Sequence, residues 1–175
     1  MRISPIAISL TIFLALACLS GCTGKNAANS NSAAGDSNSS ASAADAPKDN
    51  SEEFEQMVHL PLPAEDVVWK ETAPDPSTSP DTTLTKRLIA VLLFTRENAA
   101  KLSEDLGRSH PPIGESLDPD SWYPAELIAQ SNVRGDGKLS GQSYAADEFL
   151  QPPYTQGKIT RIENTDYFIL ELFGR

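Results

Sequence analysis

Two histidines, His59 and His110, are the chain's whole supply of imidazole, and no His-x-x-x-His or His-Glu-x-x-His spacing brings ligand nitrogens onto one helix face. A zinc centre is therefore not expected. His110, between Ser109 and Pro111-Pro112, reads as a solvated loop imidazole. The segment 132–143 contains Asp136-Gly137-Lys138-Leu139-Ser140, which looks like the middle of a calcium loop. Setting Gly137 at the sixth position puts Asn132 first, the cation Arg134 third, and Ser143 where the bidentate glutamate belongs. Most of the ligand charge is lost, and the segment reads as a glycine-rich turn. Its Arg134-Gly135-Asp136 spells the tripeptide bound by integrins, but nothing else in the chain points to an adhesin. Nucleophilic and phosphate chemistry lack their usual frames: there is no Gly-x-Ser-x-Gly elbow, no Ser-x-x-Lys opening a helix, and no glycine-rich phosphate loop. Glu126 with Asp147 or Glu148 would make a glycosidase-like carboxylate pair if the fold set their separation. No metal and no cofactor is expected.

Aromatic residues supply the other candidate site. Trp122, Tyr123, Phe149, Tyr154, Tyr167, Phe168 and Phe173 all fall in the C-terminal third, where a small domain needs them for burial. Trp122-Tyr123 before Pro124, together with Pro152-Pro153-Tyr154, form the alternative: an exposed lip of Trp122, Tyr123 and Tyr154 that would bind a peptide or a glycan.

The N-terminus carries an address. Met1-Arg2 is a short positive start, residues 3–19 are almost wholly apolar, and Leu19-Ser20-Gly21-Cys22 closes the stretch. Pro5, Ser9 and Thr11 interrupt a run already short for a bilayer span. This pattern resembles the lipobox of bacterial lipoproteins, and the resemblance covers only the first 22 residues. It implies cleavage before Cys22, a diacylglyceryl group on its thiol, and a mature chain anchored to a membrane outside the cytoplasm. That membrane face would be periplasmic or outer-membrane in a diderm and the cell surface in a monoderm. The resemblance also accounts for both cysteines of the chain: Cys18 leaves with the signal and Cys22 is acylated, so no disulfide is expected.

Fourteen basic residues against 24 acidic ones give a net charge of −10. Such a surface cannot release phosphate counterions and is repelled by anionic headgroups, which excludes nucleic acid and leaves the lipid as the membrane contact. From residue 23 to about 50 the chain is Asn, Ser, Ala, Gly and Asp without an aromatic or branched aliphatic residue, so it has nothing to bury and reads as a disordered tether. The expected division is a signal over 1–21, lipidated Cys22 and tether over 22–53, and one globular domain over 54–175.

Within that domain, Val67-Val68-Trp69 mark a strand over Asp66 to Thr72, and the prolines of 73–80 mark a loop. Residues 86–94 contain an unbroken apolar run, Leu88 to Phe94, expected as a central strand buried on both faces. Thr95 caps a helix over 96–106 with Gly107 as its stop, and Pro124 opens a second helix through about residue 130. A terminal hairpin pairs 158–162 with 167–173 across Glu163-Asn164-Thr165-Asp166. The order does not alternate strand and helix regularly, so the expected class is α+β: one antiparallel sheet of about four strands, covered on one face by two or three short helices. The functional expectation is a lipid-anchored, non-enzymatic cell-envelope module that binds or scaffolds an envelope protein or glycan. The alternatives are a small carboxylate-dependent hydrolase and a structural accessory subunit of an envelope complex.

Overall fold

The structure, a computed structural model, describes residues 46–74 and 83–175. The signal segment, Cys22, the tether through residue 45 and most of the proline-rich loop lie outside the described residues.

Apolar residues at successive positions from Leu88 onward leave most of β2 (Lys86–Leu93) without a face for water. It pairs antiparallel with β1 (Asp66–Thr72) on one side and with the C-terminal strand (Tyr167–Gly174) on the other. The remaining strands are β3 (Ile113–Leu117), β4 (Leu139–Ala145) and β5 (Tyr154–Ile162), which makes the C-terminal strand β6. All six form a single sheet in the order β1-β2-β6-β5-β4-β3, antiparallel throughout. The α+β class and the antiparallel sheet agree with expectation, but six strands replace about four.

Strand alternation sorts β2 and β6 onto two faces. On the first, Leu88, Ala90, Leu92, Phe168, Leu170 and Leu172 are buried with Trp69 and Ile159. This face is covered by α1 (Ser51–Glu55) through Phe54, by α2 (Arg96–Ser109) through Ala99, Leu102 and Leu106, and by a short 3-10 turn (Asp147–Phe149) through Phe149. Phe94 and Phe168 meet edge to face at 5.4 Å. On the second face Ile89, Val91, Leu139, Ile162 and Ile169 are buried against Leu127 of α3 (Ala125–Arg134) and against Tyr123. Helices therefore lie on both faces rather than one, because the apolar odd-numbered positions of β2 and β6 need cover as much as the even ones.

Caps explain most element ends. The Thr95 hydroxyl accepts from the Asn98 amide at 3.1 Å to open α2, while α3 follows Pro124 at its cap and ends on Gly135, whose φ of 81° suits glycine. The expected stop at Gly107 is overridden: α2 runs two residues further, with Arg108 bonded back to Glu104 and Asp105 across the last turn. The hairpin turn is as expected, but β5 begins at Tyr154 rather than at residue 158. Leu139–Ala145, most of which reads from sequence as a glycine-rich turn, is a paired strand.

The fold also takes in residues 46–53, whose composition places them with the tether. Lys48 and Trp69 exchange backbone hydrogen bonds of 2.7 and 2.8 Å, and the Lys48 ammonium sits 4.6 Å above the Trp69 ring. Asn50 then caps α1 through its side chain, and its carbonyl accepts from the Trp69 indole at 3.3 Å. None of this needs an apolar residue, which is why composition misses it. Lys48→Pro removes a donor of that pair and is expected to cost about 1 kcal/mol in urea unfolding, with a red shift of Trp69 emission. Unchanged stability and emission would show that the segment is not part of the fold.

Candidate functional site

Helix α3 has ten residues and covers only the half of the second face near the β5–β6 turn. The other half carries side chains that alternate in sign across four strands: Arg87 on β2, Glu171 on β6, Lys158 on β5 and Glu115 on β3. Register places Lys158 directly opposite Glu171. Arg87 donates to Glu171 Oε1 through Nε at 2.7 Å, with Nη2 at 2.5 Å from the same oxygen, and Lys158 Nζ lies 3.5 Å from Glu171 Oε2. Lys158 also donates to Glu115 Oε1, and the Thr160 hydroxyl lies 3.2 Å from both Glu115 Oε2 and Ser143 Oγ.

Partial burial works against a charged Glu115, yet hydrogen bonding and attraction from Lys158, helped by Ser143 and Thr160, outweigh it and hold the carboxyl below its ordinary value of 4.5. The patch is thus a ladder of alternating charge in which the Glu115 carboxylate stays ionised. At its edge the Tyr123 phenol is pushed up by burial and by the negative charges of Asp120 and Glu171, so it remains neutral and available as a donor.

Beside the ladder, at the outer edge of the sheet, is a largely apolar groove of about 590 Å³. It is lined by His110, Pro111, Ile113, Gly114, Glu115, Ser143, Tyr144, Ala145 and Lys158, so it wraps around the start of β3. Ile113 is 73 % exposed here, and only Val133 joins it as an exposed large apolar side chain among the described residues. Such a side chain standing alone is ordinary. This one adjoins a groove and an unpaired strand edge.

The aromatics read from sequence do not share a surface. Trp122 and Tyr123 stack edge to face at 4.7 Å on the second face, with Tyr123 buried and Trp122 half-buried. Tyr154 is buried in the first-face core and donates to Glu71 at 3.0 Å; burial and that carboxylate push its phenol up. The sheet likewise stands between Glu126, on α3, and Asp147 and Glu148, in the 3-10 turn beneath the first face. His59 Nδ1 sits 2.7 Å from the Glu148 carbonyl oxygen, a contact that ties the chain after α1 to that turn. His110 is exposed at the groove, and Cys22 lies outside the described residues. Among the described residues no three His, Cys, Asp or Glu side chains gather as metal ligands would.

No protein-family model, no curated protein and no solved structure matches the chain. Sequence reasoning missed the ladder, although one rung had a signal: counting back from the four-residue turn of the hairpin sets Lys158 opposite Glu171.

Because folding lowers the Glu115 pKa, its contribution to stability is present in full above the unfolded value and is lost as pH falls through the folded one. Lys158→Met is expected to raise the Glu115 titration midpoint in a carboxyl carbon NMR series and to cost about 1 kcal/mol at neutral pH. An unmoved midpoint would show that Lys158 does not hold the carboxylate.

Proposed function

We propose that this chain is a lipid-anchored cell-envelope protein whose folded domain binds or scaffolds another envelope component without catalysing a reaction. The anchor rests on Cys22 at the end of the signal-like stretch. The observation that supports a binding face over a catalytic one is that the charged side chains of the open half-face are committed to one another: Arg87 to Glu171, Lys158 to Glu171 and Glu115, and Glu115 also to Thr160. A general acid or base works by changing its protonation with substrate, whereas groups locked in a mutual ladder present a fixed, rigid surface. The groove beside Ile113 adds apolar area at one border of that surface, the composition that protein-binding patches combine with a polar rim. An extracytoplasmic tether suits such a role, since it lets a head reach a partner without fixing its orientation.

Crosslinking of the chain in its native envelope, followed by mass spectrometry, is expected to identify a recurrent partner through residues of the open half-face. That yield should survive single alanine substitutions of Glu126, Asp147 and Glu148, and Cys22→Ser should leave an uncleaved, unacylated precursor. Recurrent crosslinks to no component, or an unchanged mature mass after Cys22→Ser, would contradict the proposal.

A further inference from the structure

The two edges of the sheet are finished differently. At β1 the chain's own residue 48 supplies the hydrogen-bonding partner of Trp69, so that edge is occupied at its midpoint. At β3 no described segment does this.

Which groups the β3 edge leaves free follows from the ladder. The Ser140 carbonyl accepts from the Glu163 amide at 2.9 Å, so Ser140 turns its backbone toward β5. Alternation then turns Leu139, Gly141 and Ser143 toward β3, where they pair with Leu117, Glu115 and Ile113. Gly114 and Ser116 consequently aim both N–H and C=O outward, away from the sheet. A side chain added at Gly114 would meet nothing within 4 Å, so the strand is open on the face toward which that position points. An incoming strand would set alternate side chains beside Ile113 on one face and beside Tyr144 on the other, and both of these residues line the groove.

Charge indicates what kind of strand. Asp118, whose side chain is 81 % exposed despite its contact with Lys138, and exposed Asp120 follow the C-terminal end of β3, while His110 precedes its start. The N-terminal half of an antiparallel strand would lie beside the aspartates. A second copy of a chain with net charge −10 is repelled from the same edge, and a cationic segment is drawn to it.

We propose that the β3 edge accepts an extended segment of a partner protein as a seventh, antiparallel strand, the segment carrying apolar side chains at alternate positions and lysine or arginine in its N-terminal half. This rests on the reading of the domain as a binding module and names the edge and the partner chemistry. The N-terminal segment of the domain meets the sheet at β1, five strand spacings away, roughly 24 Å, so it does not compete for this edge.

A nine-residue probe peptide of alternating valine and threonine, with two lysines at its N-terminus, tests the proposal against the full mature chain labelled with nitrogen-15. Saturable shifts centred on the Gly114 and Ser116 amides are expected, together with weaker binding when glutamates replace the lysines. Ser116→Pro removes one outward donor without touching the bonds to β4, and is expected to weaken the probe about tenfold. Because proline is not accommodated in every strand, a retained thermal transition is the control, and Ile113→Ser, at an exposed position, provides a second variant expected to weaken binding. Unchanged affinity in both variants, shifts centred elsewhere, or a β3-to-β3 dimer by light scattering would overturn the proposal. In the native envelope, a partner still crosslinked by the Ser116→Pro chain would overturn strand addition while leaving the binding reading intact. Absence of any partner would overturn both.

Discussion

Two adjacent strands, β2 and β6, carry apolar side chains toward both faces of the sheet, and the rest of the molecule is arranged around that constraint. A sheet with a single apolar face can leave the other to water. Here Leu88, Ala90 and Leu92 point one way while Ile89 and Val91 point the other, and Phe168, Leu170 and Leu172 oppose Ile169 in the same manner. Cover must come from both sides. The first face receives α1, α2 and the 3-10 turn, whereas the second receives α3 and the residues before it. Ten helical residues do not reach across six strands, so the remainder of the second face has to be stable in contact with water. The ladder from Arg87 to Glu115 meets that demand: long stems cover the sheet and charged heads neutralise one another. The candidate site is thus a consequence of how much apolar surface the helices leave uncovered.

The edges follow a similar logic. Exposed strand edges invite pairing with other chains, and proteins blunt them by shortening, by proline or by covering them. At β1 the cover is the chain itself, fastened by Lys48, Asn50 and the Trp69 indole. At β3 the strand is five residues long and preceded by Pro111-Pro112, which limits promiscuous pairing at its start but leaves the Gly114 and Ser116 groups outward. A short, open edge beside an apolar groove is selective in a way that a long flat edge is not.

Legibility in the sequence tracked apolar density. Residues 86–94 and the terminal hairpin were readable because continuous aliphatics and a polar tetrapeptide turn leave few alternatives, and β1 was readable from Val67-Val68-Trp69. β4 was not, since Leu-Ser-Gly-Gln-Ser-Tyr-Ala buries one face with glycine and serine against neighbours that only the fold supplies. β3, half exposed between prolines and a polar loop, offers too few apolar positions to show a period. Cover on both faces was implicit in the unbroken run of β2, but assigning helices to faces required the sheet order. The aromatic lip does not assemble because Tyr154, on β5, belongs to the first-face core while Tyr123, at the entry to α3, packs on the second face, and only the folded sheet separates the two. The ladder joins residues up to 84 positions apart, beyond the reach of any local spacing.

Native-state hydrogen exchange of the free protein tests the central constraint most directly. If two-sided burial of β2 and β6 holds the molecule together, amides from Leu88 to Leu92 and from Phe168 to Leu172 should exchange only through global unfolding, with protection falling strand by strand toward β3. Equal or greater protection in β3 and β4, or early exchange of β2 while the helices on the two faces stay closed, would contradict it.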